Sequence, residues 1–427
     1  MKGITTKQWT VMVYLAGDNN LDSAGVIDLR EMKKVGSTDQ INVIAQFDRQ
    51  GRDISTRRFF LRPGGAIDDD AVMSLGETNT GNPGVLEDFI LWGAKNYPAQ
   101  HYLLVIWNHG QGWDDTNVYR LAKDKLKLTI NRRGLIMGEP MKKSSATVAF
   151  NHVRYLSAGS FRHALFSTSI EEALSMRAIA LDDNAMDFLN NIELKRLLLS
   201  VKNKIGRKID ILGMDACLMS MAEVMYQVRD SVTFAVGSEE TEPEDGWPYE
   251  GIISALASKP TMTPQELSTT IVKKYLASYS ATDGVTQSAC DLTKTKEMAT
   301  AIELLARALA QGLPVLSSRA AIIKSRTQVQ SYANPDYVDL IDLCKLLQAN
   351  SVGANITSAC KNLIDILSTN KTIMSSGYKG KGVRNSHGLS IYFPLRKISP
   401  LYSKLDLSRK TGWGNFLKAF LGKTVRR

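Results

Sequence analysis

The chain has 427 residues, 44% hydrophobic and 22% charged, a balance that excludes a disordered polymer and allows a large buried core. Net charge is +10, but the segment 116–180 carries eleven Lys/Arg against four Asp/Glu and so supplies +7 of it. The remainder is nearly balanced, which excludes a general nucleic-acid-binding face. The four cysteines, at 217, 290, 344 and 360, show no CxxC spacing, and no HExxH is present among five histidines. A disulfide framework and a zinc site are therefore not expected.

Short apolar runs alternate with amphipathic stretches, the pattern of an α/β fold with a mostly parallel sheet. The run 9–16 is too short to span a membrane and ends in Gly-Asp-Asn-Asn rather than in a small-residue cleavage site. It reads as a strand over 9–17 and not as a signal peptide, and no other run reaches a spanning length. A helix follows at 23–34, a strand at 41–48, and an alternating stretch at 55–65 that reads as half of a surface hairpin. The stretch 82–98 opens with Pro83 near a helix start and ends before Pro98. The third core strand is expected at 102–110, followed by the basic segment.

The pattern resumes with a helix at 191–206 closed by Gly206. A fourth strand is expected at 208–216, a helix at 217–230 with Leu218, Met221, Val224, Met225 and Val228 on one face, and a fifth strand at 231–240. A sixth strand falls at 285–294. From 295 to 372 the chain reads as mostly helical, 377–382 as a flexible loop and 388–395 as a late strand. The last helix, 414–423, docks on the core through Phe416, Leu417, Phe420 and Leu421. This predicts one α/β domain over 8–294 with a basic insertion at 116–180. A mostly helical C-terminal region, 295–427, packs on it and returns one strand.

Ligands in open parallel sheets bind beyond the carboxyl ends of the strands. Two core strands end in reactive residues: "YLLVIWNHG" delivers His109 and "DILGMDAC" delivers Cys217. If the two strands are neighbours, imidazole and thiol face one cleft, where a base can convert a weak thiol into a thiolate. A helix beginning at Cys217 would favour that anion. Gly110 lets the backbone approach a substrate closely, and its N–H and that of Cys217 are candidate oxyanion donors. No third member of a triad is visible. The structural alternatives are a core role for Cys217, a turn for His109 and Gly110, and a helix cap for Asp215.

"YLLVIWNHGQGW" together with "DILGMDACLMSMAEV" resembles the clostripain family of cysteine peptidases, which share the caspase-like fold. "WTVMVYLAGDNNLD", "AVGSEETEPEDGWPY" and "GLSIYFP" agree, so the resemblance covers about residues 8–420. It implies a caspase-like αβα sandwich, His109 as general base and acid, Cys217 as nucleophile, and Asp215 as the acid at the bottom of a pocket for a substrate Arg or Lys. Asp245, from the acidic loop 238–247, is a second candidate pocket contact. The resemblance also implies calcium as an ion that this loop or "IDDDAV" (67–72) could hold, although the chemistry requires no cofactor. It further implies cleavage in the linker between His and Cys, with Arg132, Arg133, Lys142 and Lys143 as the basic candidates.

The expected partners are peptides or proteins containing Arg or Lys, met by a monomer without nucleic acid or a membrane span. Localisation stays open, since export would require this to be a trimmed mature chain. A catalytically silent homologue binding basic peptides in the same acidic pocket is the alternative. A nucleotide-binding domain is disfavoured, because neither GxGxxG nor a Walker pattern is present.

Overall fold

The computed structural model describes residues 6–18, 21–49, 54–108, 110, 112–113, 190–350, 352–368 and 371–424. Strands β1 (Lys7–Gly17), β2 (Ile41–Arg49), β5 (Ala99–Trp107), β6 (Ile209–Asp215) and β7 (Val232–Gly237) are the expected core strands. They lie in the order β7-β6-β5-β1-β2, all parallel. The alternating stretch 55–65 forms one antiparallel strand, β3 (Arg57–Phe60), whose hairpin partner β4 (Ala71–Ser74) follows it. They extend the main sheet at one edge rather than standing apart as a surface hairpin. β8 (Thr286–Asp291) is antiparallel to β7.

The sheet is covered on both faces, because the central strands are apolar on both sides and must be buried on both. In β1, Met12, Tyr14 and Ala16 enter one core, and Val11, Val13 and Leu15 the other. Helices α1 (Asp22–Val35), α5 (Tyr249–Ser258) and α6 (Pro264–Ser278) cover the odd-numbered face of β1, β5 and β6. Helices α2 (Pro83–Asn96), α3 (Asn191–Ile205), α4 (Ala222–Val228) and α7 (Thr295–Gly312) cover the other. This is the expected αβα sandwich. The helix starts follow local chemistry: Asn82 caps α2 ahead of Pro83, and Asn190 with Glu193 forms a capping box on α3.

The C-terminal region holds α8 (Leu316–Gln328), α9 (Leu340–Ala349), α10 (Ala354–Leu367), α11 (Asp406–Lys410) and α12 (Trp413–Thr424). The strand it returns to the main sheet is β10 (Ile373–Tyr378), which pairs antiparallel with β8. Part of the expected 377–382 loop is thus strand. The expected late strand is β11 (Ser390–Tyr392), which pairs with β9 (Tyr337–Asp339) in a separate two-stranded sheet. Helix α12 docks as expected, with Phe416, Leu417 and Phe420 buried.

Candidate active site

β5 and β6 are adjacent and parallel, with Trp107 opposite Asp215, so their carboxyl ends open on one edge of the sheet. Asn108 N–H donates to the Asp215 carbonyl at 3.3 Å, carrying the pairing past the end of β5. Gly110 lies against the turn after β6. A Cβ there would overlap the Cys217 carbonyl and stand 3.0 Å from Cys217 N. The close approach expected of this glycine is therefore made to the Cys217 backbone. His109 lies outside the described residues, as do Arg132, Arg133, Lys142 and Lys143.

Cys217 does not begin a helix. α4 starts only at Ala222, after Met221, which gives it no side-chain cap. Leu218 has φ 65°, the left-handed region that costs a branched side chain about 1–2 kcal/mol. Ser220 N–H then bonds the Ser238 carbonyl at 2.8 Å, and Met221 bridges to Ser390. Ser220 and Met221 are thus drawn into extended pairing with two other segments, which periodicity within 217–230 could not disclose. No helix N-terminus acts on the sulfur. Asp215 is likewise not a helix cap.

Cys217 is 6% exposed. Its Sγ accepts from Glu242 N–H at 3.3 Å and stands 3.8 Å from the Glu242 carbonyl. Burial pushes the thiol up to about 11, against the pull of backbone hydrogen bonds from Glu242, Gly110 and Cys217 itself. The sulfur is held as a neutral thiol at neutral pH.

Asp215 continues the odd-numbered face of β6, the face covered by α1 and α5. Its Oδ2 accepts from Tyr249 OH at 2.8 Å and Trp247 N–H at 3.3 Å. Its carboxyl is also in hydrogen-bond contact with that of Glu242, whose Oε1 accepts from Gln287 Nε2 at 3.2 Å. On the same face α1 brings Asp28, which the Trp107 side chain hydrogen-bonds and whose Oδ2 meets no donor. Burial, and then the charges of Asp215 and Glu31, push Asp28 up to about 9. Burial raises Asp215 to about 6, and burial with the charge of Asp215 pushes Glu242 well above the usual carboxylate range.

Among the described residues no Lys or Arg forms an ion pair with these three acids, and none is a leading influence on them. Asp245 is exposed and lines a cavity of about 470 Å³ with Glu31, Pro243, Gly246 and Tyr279. Its place is the mouth of the acidic site, not the base. Cys217 and Asp215 do not pair. Glu242 touches both, through its backbone and its side chain respectively.

Neither acidic stretch fits calcium. Asp68 is taken by Arg57, and Asp70 by Lys33 and Arg62, while Asp69 accepts from Ala66 N–H. The acids of 238–247 diverge: Glu239 bonds Tyr332, Glu240 bonds Ala333 N–H, and Glu242 bonds Gln287. Among the described residues no three Asp, Glu, His or Cys side chains are arranged to hold a metal ion.

Sequence reasoning missed two members of the site. Glu242 belongs to the acidic loop 238–247, in which Asp245 alone is read from the sequence as a pocket contact. Asp28 was passed over as an ordinary helix residue, although it lies four positions from buried Met32 and seven from buried Leu21. A carboxylate on the apolar stripe was the available signal.

The family model described as "Clostripain family" matches residues 13–126 and 167–419. Clostripain from Hathewaya histolytica is 28% identical over 244 residues, which is 52% of this chain and 36% of that protein. The match thus spans about a third of that relative's length. Among the solved structures that share the fold are two C11 proteases. One is an inactive zymogen C11 protease from Parabacteroides distasonis, with TM-score 0.61 and 19% identity over 95% of this chain and 99% of that one. The other is a secreted C11 cysteine protease from Bacteroides thetaiotaomicron in complex with an irreversible peptide inhibitor, with TM-score 0.60 and 18% identity over 96% and 99%. With most of its length matched, the chain belongs to the clostripain family of cysteine peptidases.

Proposed function

We propose that this protein is a cysteine endopeptidase that cleaves after Arg or Lys, with Cys217 as nucleophile and His109 as general base and acid. His109 takes the proton from Sγ, and the thiolate attacks the scissile carbonyl carbon. The N–H groups of Gly110 and Cys217 donate to the oxyanion. His109 returns the proton to the leaving amine, and water hydrolyses the thioester. One observation carries the basic preference: Asp28, Asp215 and Glu242 are brought together beside the thiol, and among the described residues none of them is ion-paired to a Lys or Arg. Buried carboxylates need a partner, and a substrate guanidinium or ammonium supplies one. Asp245 adds an exposed contact at the mouth.

The intact chain is proposed to be a latent form that processes itself after Arg132, Arg133, Lys142 or Lys143. Its neutral, buried thiol and the basic composition of 116–180 support this. Both strand ends come from one chain, so the reading requires no second subunit. The test is an intact-mass time course of wild type beside Cys217→Ala, followed by fluorogenic Arg and Lys peptides in the same tubes. Cutting after a basic residue between 116 and 180 in wild type alone supports the reading. Peptide turnover without cutting removes self-processing and keeps the peptidase. No cutting and no turnover refutes both.

A further inference from the structure

The segment 238–242 has two sides. On one it meets the cysteine turn: the Glu240 carbonyl accepts Leu218 N–H at 3.1 Å, the Ser238 carbonyl accepts Ser220 N–H at 2.8 Å, and Glu242 N–H reaches Cys217 Sγ at 3.3 Å. Among the described residues Leu218 is the one non-glycine with positive φ, so this turn needs outside support to persist.

On its other side the segment meets the C-terminal region. Glu239 is 1% exposed; its Oε1 accepts from Tyr332 OH at 2.8 Å and its Oε2 from Gly388 N–H at 2.8 Å. Its carboxyl is also in hydrogen-bond contact with that of Asp339, which is fully buried. Asp339 Oδ1 accepts Asp342 N–H at 2.6 Å, capping α9, and its Oδ2 accepts His387 N–H at 2.6 Å. His387 Nδ1 lies 3.1 Å from Asp339 Oδ1, with Lys345 Nζ 2.7 Å from Nε2.

Two buried carboxyl groups in contact cannot both be charged, and one proton between them turns repulsion into a bond. We propose that Glu239 is a positioning residue: the proton it shares with Asp339 clamps the 238–242 segment to the C-terminal region and so holds the Cys217 turn in its working geometry. This gives the region after residue 295 a part in the reaction. The proposal rests on Cys217 being the nucleophile. Among the described residues, the titratable groups facing the pair are Tyr332, Cys290, Cys344, Asp342, Lys345 and His387. Burial and the charge of Asp339 push Glu239 well above the usual carboxylate range. The clamp is therefore closed at low and neutral pH and opens as pH rises through that raised value.

The test uses the full chain with Glu239→Gln and Glu239→Ala. Glu239→Gln keeps one oxygen acceptor and gains a permanent N–H donor toward Asp339, while Tyr332 OH has Ser386 Oγ as a second partner at 3.1 Å, so the variant should hold kcat within about threefold of wild type at neutral pH and move the alkaline fall of kcat upward by at least one pH unit. Glu239→Ala should lower kcat at least tenfold with KM within about twofold. It should also speed hydrogen exchange in peptides covering 216–242 at least tenfold. A Glu239→Gln profile that superimposes on wild type, or unchanged exchange in Glu239→Ala, overturns the clamp. If Glu239→Ala fails to fold, the Glu239→Gln profile decides. If wild type and Cys217→Ala turn over no substrate, the peptidase reading has failed. Exchange at 216–242 in Glu239→Gln at pH 7 and pH 10 then decides the clamp alone, which predicts protection at pH 10 that wild type lacks.

Discussion

The carboxyl groups of Asp215 and Glu242 meet in hydrogen-bond contact, with Asp28 close enough to feel the charge of Asp215. All three hold their protons more tightly folded than unfolded. The folded state therefore binds more protons, and stability falls as pH rises from about 4, the unfolded value, through the raised folded values. Cys217→Ala is expected to lose at least about 2 °C of melting temperature between pH 5 and pH 9, with about half of that loss removed by Asp28→Asn. Calorimetry across that range checks it. A flat profile in Cys217→Ala would show that the cluster is not strained.

The same acids predict a hierarchy of substrate effects. Asp215→Asn, at the base of the site, should cut kcat/KM for Arg and Lys peptides by about 100-fold or more. Asp28→Asn should cut it by about tenfold, and Asp245→Asn, exposed at the mouth, by less than about threefold. Steady-state kinetics on one fluorogenic series ranks them. An Asp245 effect larger than that of Asp215 would invert the assignment of base and mouth.

Gly110 has no room for a Cβ, because the Cys217 backbone occupies that space. Gly110→Ala should therefore displace the β5 end from the cysteine turn and lower kcat by about 100-fold or more. A fall in kcat below tenfold, with the variant folded by circular dichroism, would contradict the contact.

The thiol offers a chemical readout. At a value of about 11, about 0.1% of Cys217 is thiolate at pH 8. In an uncut chain kept whole by Asp215→Asn, alkylation by iodoacetamide should be slow at pH 7.5 and rise about tenfold per pH unit to pH 9. Wild type that has processed itself should react at least about tenfold faster at pH 7.5, because His109 then supports the thiolate. Peptide mass spectrometry at Cys217 follows both.

The order of core strands and helices was readable because buried parallel strands are continuous apolar runs, and the adjacency of β5 and β6 brings Gly110 against the Cys217 backbone. The cysteine turn was not readable. Leu218, Met221 and Val224 have helical spacing, yet Leu218 turns left-handed and Ser220 and Met221 are held extended by Ser238 and Ser390, partners outside the window. β10 was missed because Ser375, Ser376 and Gly377 have no apolar alternation, its place being fixed by pairing with β8. Glu239 and Glu242 looked like surface acids. Their burial depends on Asp339 and Asp215, which no local window contains.

The most direct measurement is labelling of the full chain with an irreversible peptide ketone carrying Arg or Lys at the position before the reactive carbon, followed by mass mapping of the adduct. The account predicts one adduct on Cys217, absent in Cys217→Ala, weakened by at least tenfold in Asp215→Asn, and absent when the peptide carries Leu at that position. An adduct on another residue, or equal labelling by the Leu and Arg peptides, would contradict it.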